Sequence, residues 1–284
     1  MNANLWIVDA FTPVAFRGNA AAVYLLDKFG SDEKLQLLAM QANLSDTAFV
    51  VKNDDLDFDL RWFTPETEVK LCGHATLASA HVLVQTGQAK KGDVVKFSTL
   101  SGILKAKILD SGIELDFPTL AGSPAKPDPA LNALGVSWVN CERSRDDFLV
   151  EVKDFDTLLA IKPDMKKLAK LKARGVIVTT SKGVSGYDFA SRFFAPAIGI
   201  NEDPVTGSAH CFLAPYWAKK LGKNKFRALQ ASRSRGVLEV RLDGERTYIT
   251  GECVTTIKGQ VNVANTKSKY VAKKAAENTK EIFV

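Results

Sequence analysis

The sequence predicts an α/β protein made of two similar units in tandem, and three observations support this fold class. Apolar residues alternate with polar ones over 56–62, which is typical of one face of a β-strand. Over 35–42 the apolar residues are spaced by three and four, which is typical of an α-helix. Segments of the first half recur in the second at nearly constant spacing, and 284 residues are enough for two domains.

The elements of the first half follow from these patterns in chain order. Strands are predicted over 5–11, 48–51, 56–62, 95–98, 103–108 and 113–117, and helices over 35–42 and 75–85. Ser31 has the side chain of a helix N-cap, Pro65 ends the third strand, and Gly87 closes the second helix. The strands on either side of Ser101-Gly102 are expected to form a hairpin.

A duplication is indicated by several matches between the two halves. The segment Arg61–Pro65 (RWFTP) resembles Arg192–Pro196 (RFFAP) at an offset of 131, and 72–75 (CGHA) resembles 206–209 (TGSA) at 134. The same offset of 134 relates three further residues to their counterparts: Ser98 to Ser232, Gly102 to Gly236 and Leu104 to Leu238. The second copy therefore carries three extra residues between its proline and its glycine.

The boundary between the two units is predicted within 118–129, which is rich in proline, glycine and alanine and has no periodicity. This gives an N-terminal domain over 1–118, a C-terminal domain over 119–262 and a basic tail over 263–284. The tail supplies +3 of the net charge of +6, through five lysines and two glutamates. A second basic run, 165–174, is interpreted as the solvated face of a helix.

Composition excludes several classes of function. Neither basic segment has the interleaved aromatic residues of a nucleic-acid groove, so no nucleic-acid partner is expected. No run of 18 apolar residues occurs, and the N-terminus lacks the pattern of a signal peptide, so neither a membrane span nor export is expected. The four cysteines are scattered, which favours reduced thiols in a cytoplasmic protein.

Two tandem units also predict a ligand-binding cleft between them. In each unit a glycine, Gly73 or Gly207, begins a helix and leaves backbone N–H groups available to an anion. A small anionic substrate is therefore expected. Neither GxGxxG after a strand nor GxxxxGK[ST] occurs, and the three histidines lack metal-ligand spacing, so no cofactor and no metal are predicted.

Five blocks of sequence together resemble the phenazine-biosynthesis PhzF-like isomerases. These blocks are VDAFTPVAFRGNAAAV (8–23), NLSDTAFVV (43–51), LRWFTPETEVKLCGHATLASAH (60–81), SRFFAPAIGINEDPVTGSAHC (191–211) and the SRSRG and GEC segments (232–236, 251–253). The resemblance implies the diaminopimelate-epimerase-like fold, with two pseudo-twofold-related domains that each wrap a β-sheet around a central helix. It also implies a homodimer and a cofactor-independent transfer of a proton within a small carboxylate.

Asp46 is the predicted general acid and base, because it stands where the resemblance places a catalytic glutamate. Aspartate is one methylene shorter, which withdraws its carboxylate by roughly 1.5 Å, and a misplacement of about 1 Å can cost about a hundredfold in rate. Apolar neighbours such as Leu44 and Phe49 are expected to raise its pKa towards neutrality. From the residues alone, a polar pair at a turn or strand end is the favoured interpretation of Ser45-Asp46, and the resemblance is what favours the base.

The resemblance also places substrate-binding residues around this base. His74 would orient the base, relay a proton or bind a substrate carboxylate, and its counterpart in the second half is Ser208. Asp203 would contact an amino or hydroxyl group of the substrate, although it is otherwise a loop acid before Pro204. The remaining predicted binding residues are Asn19, Gly73, Thr206 and Gly207. Asn19 follows a glycine and is equally a turn residue, while His81 and His210 are interpreted as structural.

Cys72 leaves two interpretations open. Related racemases and epimerases use one thiol from each half, but Cys72 corresponds to Thr206, so a two-thiol mechanism is not available. A one-thiol mechanism at the helix start would suit a lyase, a dehydratase or an epimerase acting on a hydroxy amino acid. The alternative is a small buried residue, the usual state of a free cysteine. A third possibility for the whole protein is a catalytically idle small-molecule-binding protein.

Overall fold

A computed structural model describes residues 2–262 and divides them into two compact units. The first unit contains 2–115 and 251–262, and the second contains 116–250. The basic tail predicted over 263–284 lies outside the described residues.

The strands and helices are numbered in chain order. The strands are β1 (Asn2–Ala10), β2 (Asn19–Leu26), β3 (Asp46–Asp54), β4 (Asp57–Phe63), β5 (Glu68–Val69), β6 (Val94–Thr99), β7 (Gly102–Leu109), β8 (Gly112–Pro118), β9 (Ser123–Pro124), β10 (Asn140–Arg143), β11 (Asp147–Glu151), β12 (Gly175–Thr180), β13 (Phe189–Ala195), β14 (Ile200–Asp203), β15 (Lys225–Gln230), β16 (Gly236–Asp243), β17 (Arg246–Gly251) and β18 (Cys253–Asn262). The helices are α1 (Asp32–Ala42), α2 (Gly73–Gln85), α3 (Phe155–Ala160), α4 (Met165–Leu168) and α5 (Gly207–Leu221), with short 3₁₀ turns at Pro129–Leu134 and Pro196–Ile198.

In the first unit the strands surround helix α2. Strand β1 pairs antiparallel with β18 and β2, β2 runs parallel to β3, β3 is antiparallel to β4, and β4 runs parallel to β6, which continues antiparallel into β7 and β8. Helix α2 packs against β1, β2 and β3. Nine of its thirteen residues are buried, from His74 to Leu83, as expected of a helix enclosed on most sides.

The second unit repeats this arrangement around helix α5. Strand β10 is antiparallel to β9 and β11, β11 runs parallel to β12, β12 is antiparallel to β13, and β13 runs parallel to β15, which continues antiparallel into β16 and β17. The order of parallel and antiparallel pairs is the same as in the first unit. The duplication predicted from the sequence is therefore confirmed in the topology of the strands.

The duplication is also visible in side-chain contacts, because each unit contains an equivalent ion pair. In the first unit Nε and Nη2 of Arg61 donate to the two carboxylate oxygens of Glu68, each at 2.7 Å. In the second unit Arg192 binds Glu202 in the same forked manner, at 2.7 and 2.9 Å. Each guanidinium also lies over the ring of the phenylalanine two residues later, Phe63 or Phe194.

The observed division of the chain differs from the predicted domains at both ends of the second unit. The first break falls between 115 and 116 rather than after 118. Residues 251–262, which the sequence assigned to the C-terminal domain, belong to the first unit because β18 pairs with β1 along its length. Composition marks a linker locally, but it does not reveal a strand that returns to a partner about 250 residues away.

Most predicted elements are present, with two differences. Ser31 caps α1 by accepting a hydrogen bond from the backbone of Lys34, and the predicted hairpin forms between β6 and β7. The basic run 165–174 contains only the short helix α4, and Arg174 at its end is buried rather than solvated. Strand β2 was not predicted from the sequence, because its apolar residues are buried without alternation.

No helix among residues 2–262 has the length and apolar character needed to cross a membrane.

Candidate active site

The start of helix α2 holds the predicted residues Cys72, Gly73 and His74. Cys72 is the N-cap in an extended conformation, and its side chain makes no capping hydrogen bond to the helix. Gly73 and His74 are the first two helical residues, so their backbone N–H groups belong to the first turn, which has no carbonyl partner within the helix. Such a helix start favours negative charge.

Asp46 lies beside this helix start. It is the first residue of β3 and pairs with Ala21 of the parallel strand β2, which fixes its backbone. Its Oδ2 atom lies 3.7 Å from Nε2 of His74, and both side chains are more than nine-tenths buried. The thiol of Cys72 lies 3.4 Å from Nδ1 of His74. A carboxylate, an imidazole and a thiol are therefore in one buried cluster.

His74 is neutral at ordinary pH, because burial lowers its pKa to about 4. Its Nε2 atom lies 3.3 Å from the hydroxyl of Ser45, which donates a hydrogen bond to Oδ1 of Asn19 at 3.1 Å. Since the hydroxyl proton is used on Asn19, the Ser45 oxygen is left to accept from Nε2–H of His74. In that tautomer Nδ1 accepts from the thiol of Cys72.

Asn19, predicted as a polar anchor or a turn residue, is the first residue of β2 and is buried. The preceding Gly18 has a φ of +68°, and a Cβ atom there would lie 2.1 Å from the carbonyl oxygen of Ala10. Only glycine can be accommodated where the backbones of residues 18 and 10 come this close. This close contact fixes the backbone position at which Asn19 begins strand β2. The structure thus brings five predicted residues together, namely Asn19, Asp46, Cys72, Gly73 and His74.

The start of helix α5 in the second unit holds the other predicted residues. Thr206 is the N-cap, and its hydroxyl donates to Oδ2 of Asp203 at 2.6 Å instead of capping the helix. Gly207 and Ser208 are the first two helical residues. Asp203 is the last residue of β14 and lies opposite Phe193 of β13. These four residues form a second group, and its convergence with the first group on one substrate stays a prediction.

Gln230 is a residue of this group that the sequence did not indicate. Its side chain is fully buried and makes three hydrogen bonds. Its Oε1 accepts from the backbone N–H of Thr206 at 2.8 Å, and its Nε2 donates to the carbonyl of Asp203 at 2.9 Å and to the hydroxyl of Thr206 at 3.1 Å. It therefore fixes Asp203 and Thr206 relative to each other.

Arg174 is a second residue for which the expectation from the sequence, a solvated position on a helix, was wrong. Its Nε donates to Oδ1 of Asp147 at 2.9 Å, and this ion pair is almost fully buried. Burial alone would lower the pKa of Arg174, but the carboxylate of Asp147 outweighs it and the pKa is raised, with a further contribution from Asp203. The cation therefore persists close enough to Asp203 to interact with its charge.

The other histidines and cysteines lie in structural surroundings. His81 hydrogen-bonds Thr255 at 3.2 Å, and Nδ1–H of His210 donates to the carbonyl of Thr206 at 2.8 Å. Burial raises the pKa of Cys211 to about 12 and also raises the pKa of Cys141 and Cys253, so these thiols stay protonated. Thiolate chemistry is therefore disfavoured at these three positions.

The chain is similar to known proteins over most of its length. The family model for phenazine biosynthesis-like proteins, PhzC-PhzF, matches residues 8–259. An uncharacterized isomerase of Halalkalibacterium halodurans is 43% identical over 263 residues, which cover 92% of this chain and 99% of the relative. The crystal structure of a PhzF-family protein from Enterococcus faecalis is 39% identical with a TM-score of 0.88, and covers 93% of this chain and 100% of its own.

A more distant likeness concerns the fold alone. The crystal structure of a hydroxyproline epimerase from Agrobacterium vitis is 14% identical with a TM-score of 0.60, over 93% of this chain and 94% of its own. Together these comparisons confirm the fold class and the family resemblance seen in the sequence. They also confirm the enzyme class at its coarsest level, that of an isomerase.

Proposed function

Because the chain belongs to the phenazine biosynthesis-like family, we propose that it is a cofactor-independent isomerase that moves a proton within a small carboxylate. The substrate bears amino or hydroxyl groups and has a cyclic or compact skeleton. The observation that carries this proposal is the carboxylate of Asp46, buried and 3.7 Å from a neutral imidazole. A cytoplasmic homodimer is part of the proposal.

Asp46 is the general base in the first step and the general acid in the second. Its carboxylate takes a proton from one carbon of the substrate, and the electron pair of the C–H bond moves into the adjacent unsaturated system. The protonated carboxyl then returns the proton to a different carbon. A carboxylate suits both steps, because it exchanges one proton without forming a covalent intermediate.

His74 acts as a neutral partner of the base. Its low pKa keeps a positive charge away from Asp46, so the carboxylate is not locked into an ion pair. Ser45 and Asn19 hold the ring through Nε2 and so fix its orientation towards Asp46. The hydrogen-bonded series of Asn19, Ser45 and His74 thus supports the carboxylate of Asp46, whose side chain is one methylene shorter than that of glutamate.

The two helix starts supply electrostatic stabilisation. In each unit, backbone N–H groups at the beginning of the helix, α2 or α5, favour negative charge, and neither N-cap side chain bonds to its helix. Asp203, held by Thr206 and Gln230, binds an amino or hydroxyl group of the substrate. Ser208 offers a further hydroxyl at the second position of α5.

A second candidate function is a lyase or epimerase that uses the thiol of Cys72. The distance of 3.4 Å between Sγ and Nδ1 of His74 favours it, because the imidazole is placed to take the thiol proton. The pKa of about 4 argues against it, since so weak a base leaves little thiolate at neutral pH. A small-molecule-binding protein without catalysis is the third candidate.

Deuterium exchange separates these candidates. The parent protein is incubated in D₂O with a panel of small carboxylates that carry amino or hydroxyl groups, and incorporation is followed by mass spectrometry. The proposal expects exchange that is lost in Asp46→Asn and kept in Cys72→Ala. Matched controls are Asp54→Asn, an exposed acid on the same strand, and Cys141→Ala, a buried thiol in the second unit.

The opposite pattern, with exchange lost in Cys72→Ala and kept in Asp46→Asn, would replace the proposal with the thiol enzyme. Binding of a carboxylate without any exchange in the parent protein would support the binding protein and end the proposal.

A further inference from the structure

The cluster at the start of α2 contains three different kinds of metal ligand. One ligand atom from each of Asp46, Cys72 and His74 can be chosen so that all three atoms lie within 4.8 Å of one another, and all three residues are buried. The spacing of these residues in the sequence gives no such signal, because Asp46 comes from a different strand. We propose that this cluster is a binding site for a Zn²⁺-like divalent cation, held by Asp46 carboxylate, Cys72 thiolate and His74 Nε2.

The distances are close to those of a three-ligand zinc site. Tetrahedral bonds of about 2.3 Å to sulfur and about 2.0 Å to nitrogen or oxygen place neighbouring ligand atoms roughly 3.3–3.6 Å apart. Here Nε2 of His74 lies 4.0 Å from Sγ of Cys72 and 3.7 Å from Oδ2 of Asp46. The third pair, a carboxylate oxygen of Asp46 and Sγ of Cys72, lies within 4.8 Å. Because an ion on Nε2 lies in the plane of the imidazole ring, the side chains of His74 and Cys72 have to turn, moving the ligand atoms by roughly 1–2 Å, before all three surround one ion.

Secondary structure fixes the backbone of all three ligands. Cys72 and His74 are the N-cap and the second residue of the long helix α2, and Asp46 begins a strand paired on both sides. The hydroxyl of Ser45 lies 3.3 Å from Nε2 of His74, beside the position of the ion. Three protein ligands leave a fourth position for water or a substrate oxygen, as in open zinc sites.

The ligand set selects the class of cation. A thiolate and an imidazole favour Zn²⁺ and its softer relatives, whereas Mg²⁺ and Ca²⁺ prefer oxygen ligands throughout. With Nε2 bound to the ion, the ring proton sits on Nδ1, on the opposite side of the ring from the ion, and the proton of the Cys72 thiol is released to solvent. The side chains of Asp46 and His74 keep 8% and 7% of their surface exposed, so a small ion can reach them from solvent.

Occupancy of this site has a consequence for catalysis that rests on the proposed function. A carboxylate bound to Zn²⁺ cannot accept a proton from carbon, so the ion inhibits the isomerase by occupying its base. Inhibition is reversed by a chelator. The binding of the ion itself does not depend on the proposed function.

Binding is tested first without any substrate. Untagged full-length protein, freed of metal with a chelator, is titrated with Zn²⁺ by calorimetry, and with Co²⁺ while the thiolate-to-metal absorption is followed. The expected result is one ion per chain with a dissociation constant of about 1 µM or lower. Mg²⁺ in large excess leaves the Co²⁺ absorption unchanged.

Two variants and a control decide whether the cluster is the site. Cys72→Ser and Asp46→Asn are expected to weaken Zn²⁺ binding at least about tenfold, and Cys72→Ser to remove the thiolate absorption, while Cys141→Ser keeps both. Zn²⁺ should raise the melting temperature of the parent and of Cys141→Ser but not that of Cys72→Ser. Equal binding by Cys72→Ser and the parent, or no binding by the parent, overturns the proposal.

The inhibitory consequence is tested separately in the deuterium-exchange assay. Zn²⁺ at saturation should abolish exchange in the parent, and a chelator should restore it. Tight binding with unchanged or faster exchange would refute inhibition while leaving the site in place. Absence of exchange in the metal-free parent would count against the proposed function, not against the metal site.

Discussion

Gly175 in the second unit occupies the position that Asp46 occupies in the first. Strand pairing places Thr47 opposite Phe63 and Val176 opposite Phe194, and these two phenylalanines are counterparts in the duplication. The residues immediately before Thr47 and Val176 therefore correspond. The proposed base has a glycine as its counterpart, which cannot take or give a proton.

The converse holds for the acid of the second unit. Asp203 lies opposite Phe193, and Val69 lies opposite Trp62, the counterpart of Phe193. Each unit thus carries one carboxylate where the other carries a residue that does not ionise. Asp46 and Asp203 are therefore not counterparts of each other in the duplication.

The first prediction concerns the packing at Gly175. A Cβ atom there would lie 2.7 Å from the ring of Phe193 and 2.7 Å from the carbonyl oxygen of Phe194. Because the backbone oxygen cannot move without disturbing strand β13, we expect Gly175→Ala to lower the free energy of unfolding by about 1–3 kcal/mol. Urea unfolding followed by circular dichroism measures this change.

The matched control is Gly259→Ala in β18, where nothing lies within 4 Å of the added Cβ atom. That change should cost less than about 0.5 kcal/mol. Equal losses in the two variants would show that Gly175 is not restricted by packing, and that the absence of a second base has no steric cause.

The second prediction concerns Gln230 as a positioning residue for Asp203. Gln230→Met keeps the length of the side chain but removes two donors and one acceptor. The stranded polar groups of Thr206 and Asp203 should lower the free energy of unfolding by about 2–3 kcal/mol. Since Asp203 would lose its fixed position, the exchange rate should fall about tenfold to a hundredfold.

Gln260→Met provides the control, because Gln260 is exposed and makes only a long hydrogen bond of 3.3 Å to Asn4. It should change neither stability nor exchange. If Gln230→Met loses stability yet keeps the parent's exchange rate at every substrate concentration, Gln230 is a structural residue and has no role in positioning.

The repeated elements could be predicted well from the sequence, because the duplication makes each of their sequence patterns occur twice. The matched segments RWFTP and RFFAP fall on the equivalent strands β4 and β13, and the two glycines begin α2 and α5. What the sequence could not show was long-range pairing. Strand β18 pairs with β1, which lies about 250 residues earlier in the sequence, and no local sequence pattern predicts such a partner.

The same limit applies to the candidate site. Asp46, Cys72 and His74 were all named from local motifs, but their contact depends on the pairing of β3 beside α2. Gln230 had no signal at all, since its counterpart is Thr99: Gln230 lies opposite Gly236 in the second unit, and Thr99 lies opposite Gly102 in the first. Buried polar residues without a counterpart are recognisable only when their hydrogen-bond partners are known.

The third prediction compares the two duplicated arginines. Arg192 donates to Glu202 and also to the carbonyls of Leu158 and Ile161, and its side chain is 12% exposed. Arg61 has Glu68 and the exposed Asp32 as partners and is 21% exposed. Lysine cannot reproduce a forked contact together with bonds to carbonyls. We therefore expect Arg192→Lys to cost about 2–3 kcal/mol and Arg61→Lys about 1 kcal/mol.

Chemical unfolding of both variants in low and high salt tests this order. The loss in Arg61→Lys should shrink with salt because one partner is at the surface, while the loss in Arg192→Lys should not. A larger loss in Arg61→Lys would mean that the carbonyl contacts of Arg192 contribute little to stability.

The last prediction concerns pH and His210. Helix α5 has His210 where α2 has Thr76, and both side chains donate to the carbonyl of their N-cap residue four positions earlier. Burial lowers the pKa of His210 to about 4, so the folded protein holds it neutral. Its Nε2 atom is buried and has no hydrogen-bond partner among residues 2–262, so protonation would place an unpaired charge in the core.

The unfolded chain binds this proton near pH 6.5, whereas the folded chain binds it only near pH 4. Between these values the unfolded state carries more protons, so stability falls as the pH decreases from 6.5 towards 4. From pH 7 to pH 5 this one group should cost about 2 kcal/mol. His210→Asn keeps a donor for the carbonyl of Thr206 but cannot be protonated.

Unfolding by urea at pH 7 and pH 5 gives the decisive comparison, because it uses the difference between two pH values rather than the absolute stability of the variant. We expect the parent to lose about 2 kcal/mol more than His210→Asn over this range. Other groups, among them His74 and His81, titrate in both proteins and cancel in the difference. Parallel losses would show that His210 is already protonated in the folded state, or that it reaches water through an opening of α5.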